Sequence, residues 1–434
     1  MKIILRRISQ RSAEFLGFDR MGEAYPIFTK VYTFLWLYST LETVFMNTLL
    51  IRLTGNSDSV MYYKMIIYVV TAVAMHGSAL IAHRLSPVHS IRLSAVLYGI
   101  MYLFLFILTD YLGVYMPYLA VLSGVACGLY WCSHNILLTL YTTERNRDIG
   151  VGILGVINGI ITLLIPIVSG FVITAYPNNY LGYRIMFGVG FASVIMQFIM
   201  SLRLYPVEHK TREPQFRLAL SLVRQRKSVR FVFCSEFIRG FREGTFLFFL
   251  NTLLFEFVSD ERLVGLNTFL TGAASIVAAW VYGRIVAAHL RGKFVVIATS
   301  LLMGATFCLF FGLNSVSIVI YSIVNAFLQL FVVNASSVSS FAVFTQDEKA
   351  RFCLGESFAF REVSLALGRV VGIYVVVLFP KTPTGYISAM LLLTVTQYLV
   401  ALCIRVIRRE LSLFEQQQIT GASVNQEPLE DAQR

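Results

Sequence analysis

Long apolar stretches alternate with short polar breaks along nearly the whole chain. A helix needs about 20 apolar residues to cross the hydrocarbon core of a bilayer. Runs of that order occur at 28–53, 60–83, 90–110, 114–141, 148–174, 182–205, 231–258, 262–288, 293–313, 315–344, 352–379 and 384–406. The pattern predicts an all-α integral membrane protein with twelve transmembrane helices. The breaks are brief except from Pro206 to Arg230, which sets off a six-helix bundle at 28–205 from another at 231–406. Residues 1–27 form a basic arm, and Met1–Arg7 is too short in apolar length for a signal-peptide core. Residues 407–434 make a polar tail, which reads as disordered beyond Arg409. The linker, 206–230, is basic; Phe216–Arg230 either only fixes topology or forms an amphipathic helix on the inner leaflet.

Composition supports lipid as the solvent. Hydrophobic residues are 57% of the 434 and charged residues 14%, against about 25% charged in soluble domains. The net charge of +12 could suggest nucleic acid, but the placement of the basic residues excludes it. They cluster in alternate breaks and at the run ends beside them: Lys2, Arg6, Arg7, Arg11, Arg20 and Lys30 around the start of run one, Arg84 and Arg92 around the break between runs two and three, Arg145 and Arg147 after run four. The long sixth break adds Arg203, Lys210, Arg212, Arg217, Arg224, Arg226, Lys227 and Arg230, and the later ones Arg291, Lys293, Lys349, Arg351, Arg405, Arg408 and Arg409. The other breaks hold little beyond Arg52, Arg184, Arg262 and Lys381. By the positive-inside rule both termini are cytoplasmic. A multi-pass protein of the cell membrane follows. The six cysteines lie inside apolar runs, and neither they nor the histidines show metal or redox spacing.

The halves match at an offset of about 204–206 residues. Asn47-Thr48-Leu49-Leu50 recurs as Asn251-Thr252-Leu253-Leu254, Gly77 with Ala82-His83 as Gly283 with Ala288-His289, and Glu144-Arg145 with Arg147 as Glu348-Lys349 with Arg351. Two parallel six-helix repeats are the architecture of many secondary transporters. With its long basic central break, the chain from 28 to 406 resembles the major facilitator superfamily. Traces of that family's loop motif, G-x-x-x-D-R-x-G-R-[RK], appear as His83-Arg84-Leu85-Ser86 and His289-Leu290-Arg291-Gly292-Lys293. Both copies lack the acidic residue, which puts the family's charge relay in doubt. Gly155, Gly159, Pro166 and Gly170 loosely resemble its Gly/Pro-rich antiporter motif. Within the superfamily the chain looks most like bacterial permeases of the YqgE type, a resemblance that carries no substrate. It implies that runs one, four, seven and ten line a central cavity. The residues so placed include Tyr38 and Asn47 on run one, Trp131, His134 and Asn135 on run four, and Asn325, Asn334, Ser336 and Ser337 on run ten.

Ionisable groups at bilayer depth cost about 2.5–3.5 kcal/mol or more each, so they need a reason. Run one carries Glu42, run seven Glu236, Arg239, Arg242 and Glu243, and run eleven Glu356, Arg361, Glu362 and Arg369. At about 100° per residue, Glu236, Arg239 and Glu243 share one face; Arg242 lies about 60° further round, and Glu362 and Arg369 align. Either these groups pair and lock helix packing, or part of the set binds substrate or carries a coupling proton. Counting Arg239, Arg242 and Arg361 against Glu243 and Glu362 leaves one positive charge in excess, and adding Glu236 and Arg369 keeps it. That would favour an anionic group. Glu42, with no basic residue within a helical turn of it, is the proton-carrier candidate, or else a hydrogen-bonded core acid. His134 could relay protons or simply pack.

The sequence therefore predicts a secondary active transporter that moves a small organic solute, anionic or amphipathic, with protons as coupling ion. The alternatives are an exporter or flippase of a lipid-linked or drug-like amphipath and, from another class, a membrane sensor or enzyme on a transporter-like scaffold. No Walker loop or Gly-x-Ser-x-Gly elbow is present, so neither an ATP-driven pump nor an enzyme is expected, and no cofactor. The expected partners are the solute, the coupling proton and the lipid bilayer.

Overall fold

The computed structural model describes residues 18, 21–56, 58–142, 147–176, 180–206, 213–258, 261–286, 289–380 and 382–424. Most of the basic arm, Arg145, Lys210, Arg212, Lys381 and the tail from 425 lie outside the described residues. Within them the chain is helical and contains no strand. The first run is α1 (Ala24–Leu41), a π-helical turn (Glu42–Met46) and α2 (Asn47–Thr54). Then come α3 (Asp58–Arg84), α4 (Pro87–Ile107), α5 (Leu112–Tyr141), α6 (Arg147–Ala175) and α7 (Leu181–Ser201). The linker holds α8 (Phe216–Gln225). The second half is α9 (Lys227–Val258), α10 (Glu261–Ile285), α11 (Arg291–Cys308), α12 (Ser315–Phe344), the short α13 (Glu348–Phe352), α14 (Leu354–Leu378), α15 (Pro383–Val395) and α16 (Gln397–Val424).

Local chemistry sets several ends. The Ser86 hydroxyl accepts from the Val88 amide and Pro87 opens α4, the arrangement that starts a helix without wasting a donor. Asn314 and Ser317 form a reciprocal capping box on α12. Gly55, left-handed at φ 66°, ends α2.

Nine segments among the described residues are long and apolar enough to cross a membrane. The runs carried by α1–α2, α9 and α14 fall outside that set; they are the runs that hold Glu42 and the charges of runs seven and eleven. The repeat is visible in packing. In the first half α1 packs on α6 and α7, α3 on α5, and α4 on α5 and α7. In the second, α9 packs on α14 and α16, α10 on α12, and α11 on α12 and α16. Hydrogen bonds also join the outer spans of each half: Tyr38 donates to Gln197, and Gln397 donates to the Ile238 carbonyl. The halves pack most extensively along two seams, α3 with α14 and α6 with α10.

Two segments differ from expectation. The linker helix ends at Gln225 rather than Arg230, and its apolar residues Ala219 and Leu222 are buried in a cluster with Val232, Phe344, Phe358 and Ile407. The side that the amphipathic alternative would lay on lipid thus packs on protein. The tail does not lose structure after Arg409: α16 runs on to Val424. Ile407 and Leu411 pack into the same cluster, and Glu410 pairs with Lys227 at 3.4 Å.

Candidate functional site

The charged residues of runs seven and eleven meet because α9 and α14 approach unusually closely. Gly240 and Gly244 on α9 lie against Leu365 and Arg369 of α14, and Gly368 and Gly372 on α14 lie against Phe237 and Phe241 of α9, two small-x-x-x-small spacings. A Cβ at Gly368 or Gly372 would overlap the carbonyl oxygen of Phe237 or Phe241. With the backbones this close, charged side chains beside the seam come within reach of one another across it.

On that flank a chain of ion pairs runs through the second half. Glu236 pairs with Arg239 (Oε2–Nη2 2.9 Å), and Arg239 Nε reaches Glu243 Oε2 at 3.1 Å. Arg369 then bridges Glu243 (2.8 Å) and Glu362 (3.0 Å). Helix α12 supplies neutral support: Ser336 and Ser340 donate to Glu236 Oε1 at 3.1 and 2.9 Å, and Arg239 donates to Ser337 at 2.9 Å. The chain also touches the other half. The Arg369 guanidinium lies 4.9 Å from the Tyr68 ring centre, and the Tyr68 hydroxyl donates to the Gly244 carbonyl at 3.2 Å.

Arg242, counted above with this set, turns away from it. It is fully buried among neutral acceptors, donating to Thr394, Gln329, Tyr321 and Asn325, with Phe246 beneath it at 3.9 Å. The positive excess inferred from the sequence rested on including it, so that excess disappears. Arg361, 9% exposed, lies 5.4 Å from the Phe358 ring centre. Asn334 and Asn135 are half-buried on α12 and α5.

The first half offers two separate polar groups. Glu42 begins the π-helical turn of run one, a distortion that recurs at functional positions. Its Oε1 accepts from Tyr63 at 2.8 Å and Ser123 at 2.9 Å. Nothing basic on its own helix is near, yet buried Lys64 of α3 interacts with it electrostatically. Lys64, Tyr63 and Ser123 were not among the sequence candidates. A lysine inside an apolar run was the available signal for the first; nothing local pointed to the others. His134 is buried in an aromatic box, stacked on Phe28 (4.9 Å) and Tyr32 (5.3 Å) with Trp131 edge-on at 5.1 Å.

The two loop-motif copies behave differently. His83 crosses the seam: its Nε2 lies 2.8 Å from Glu356 Oε1, and both side chains are buried. The same oxygen accepts from the Gln215 amide of the linker at 2.6 Å. Beside it Phe216 stacks on His76 (5.7 Å) and meets Phe360 edge-on at 6.0 Å, so the linker is wedged between the halves. Arg84 is exposed. In the second copy the His289 carbonyl accepts from Arg408 at 2.8 Å, Gly292 is buried against Arg405, and Lys293 is exposed.

Comparison with known proteins agrees with this architecture. The family model of the Major Facilitator Superfamily matches residues 32–233. "Uncharacterized protein YqgE" of Bacillus subtilis (strain 168) is 25% identical over 345 residues, 78% of this chain and 79% of that protein. Among solved structures, a bacterial homologue of the iron transporter ferroportin, in an outward-facing state, superposes with a TM-score of 0.66 at 12% identity. The match covers 89% of this chain and 100% of that one. The E. coli fucose:proton symporter superposes with a TM-score of 0.64 at 10% identity, over 88% and 98%.

Proposed function

The chain is similar in sequence to the major facilitator superfamily and has the fold of its transporters, and from that premise we propose that it is a proton-coupled secondary transporter of a small organic solute. In this reading both termini are cytoplasmic, and residues 28–205 and 231–406 rock as two bodies about the α3–α14 and α6–α10 seams. Alternating access of this kind needs groups whose pairing differs between the two states.

One observation carries the reading: Arg369 holds Glu243 and Glu362 on the second half while its guanidinium rests on Tyr68 of the first. Separation of the halves along that seam takes away the ring and opens the site to water, which alters the proton affinity of both carboxylates. Glu42 is a second acid on the other half. His83–Glu356, joined by Gln215, stands where the family's loop motif has its acidic residue and acts as a tie across the seam.

The test is proteoliposome flux. An imposed proton gradient is expected to drive accumulation of a solute from a broad panel, and Glu362→Gln, which leaves Arg369 paired with Glu243, to abolish it with little change in detergent melting temperature. A large fall in melting temperature with flux retained would instead make the pairs purely structural.

A further inference from the structure

The other buried arginines have close partners. Arg239 and Arg369 hold carboxylates, and Arg242 has four neutral acceptors. Arg361 is different. It is nine-tenths buried, its Nε is buried without a partner, and among the described residues it makes no hydrogen bond or ion pair. The Phe358 ring lies against it. A guanidinium is charged at any ordinary pH and presents five donors, and leaving it dry and unpaired is strongly unfavourable.

Its surroundings place it on the wall of the ion-pair chain. Phe358, one turn earlier on α14, packs on Phe341 and Phe344 of α12. Leu365, one turn later, packs its carbonyl on Gly240 of α9. Arg361 thus sits in the angle between α9, α12 and α14, close enough for its charge to act on Glu243.

We propose that Arg361 receives the carboxylate of a monoanionic organic solute, and that the solute crosses with one proton. The proposal deepens the transporter reading and rests on it for the movement, though not for the binding. The charged groups of this wall are Glu236, Arg239 and Glu243 on α9 and Arg361, Glu362 and Arg369 on α14; Tyr68 of α3 and Cys127 of α5 face them from the first half. Three carboxylates stand against three guanidiniums, so the empty site is neutral. A monoanion on Arg361 makes it −1, and in a poorly screened interior the lost balance is restored by taking up one proton. Glu362 is the acceptor, since it holds Arg369 alone, whereas Glu243 has two arginines and Glu236 has Arg239 and two serines. The proton comes from water on the entry side, rests on a Glu362 carboxylate oxygen, and leaves with the solute on the other side. A dianion would need two protons for the same balance.

Thermal unfolding of the purified full chain near pH 6 tests the binding, with benzoate and lactate against inorganic phosphate, tetramethylammonium and xylitol. The monocarboxylates should raise the melting temperature in a dose-dependent way and the others should not. Arg361→Gln should weaken the apparent affinity by about tenfold or more, as expected for a lost charge-assisted hydrogen bond. If that variant does not fold, Arg361→Lys, which keeps the charge and loses the fork, should bind measurably more weakly. Unchanged affinity in the variant that folds, or protection by phosphate or tetramethylammonium instead, overturns the proposal. In proteoliposomes lactate entry should carry protons inward and be indifferent to a valinomycin-imposed potential; a potential-driven flux overturns the one-proton stoichiometry. Binding without any gradient-driven flux upholds the Arg361 site and refutes the transporter reading.

Discussion

Asp347 illustrates at the level of one residue how a charge is held outside the apolar runs. It caps α13 through the Ala350 amide and takes both ends of the Arg226 guanidinium, at 3.2 and 2.5 Å, so it pins the linker to the end of α12. Burial pushes its carboxyl up, but the hydrogen bonds from Arg226 and Ala350 outweigh that and hold it below its ordinary 3.8. A group lowered in the folded state stabilises above its unfolded value and loses that contribution as the pH falls through the folded one. Asp347→Asn should therefore melt below the wild type at pH 7, and the gap should close as the pH drops below about 4. A gap that stays constant would contradict the pairing. Residue-level legibility followed helix geometry. The i, i+3 and i, i+4 pairs of Glu236, Arg239 and Glu243 come directly from the period of a helix, and so does the divergence of Arg242. Partners that arrive from another helix, such as Lys64 and Tyr63 at Glu42 or Ser340 at Glu236, depend on packing that no local pattern encodes.

At the scale of elements, glycine spacing decides where the charges go. Gly240-x-x-x-Gly244 and Gly368-x-x-x-Gly372 are plain in the sequence, but nothing local says that both pairs lie in one seam. Gly368→Leu would drive a side chain into the Phe237 carbonyl. It should destabilise the protein by about 1–3 kcal/mol or more, seen as a lower detergent melting temperature, and should disrupt the Arg369 bridges. Gly304→Leu is the control, since no heavy atom lies within 4 Å of a Cβ there; an equal loss at both positions would rule out close packing as the cause. The runs themselves were legible because lipid demands apolar length. The linker helix was legible as amphipathic, but not where its apolar side would go. Residues Val343, Phe344 and Ile407, far away in sequence, receive it in place of lipid. The same cluster extends α16 beyond Arg409, where polar composition alone suggested no structure.

For the whole molecule, the repeated set of helix pairings leaves two seams between the halves, and the ties differ along α3 and α14. Tyr68 and Arg369 meet at the ion-pair chain, and His83 and Glu356 meet beside the linker. In the proposed transport cycle these contacts exchange as the halves rock. Distances between paired spin labels test it most directly, with Cys234 and Cys308, the exposed cysteines, changed to serine. One pair sits at Leu85 and Lys349, near His83 and Glu356; the other sits at Tyr118 and Val316, at the opposite ends of α5 and α12. Opposite changes are expected on acidification with solute present, one pair widening as the other narrows. Two fixed distances under every gradient and solute would contradict it.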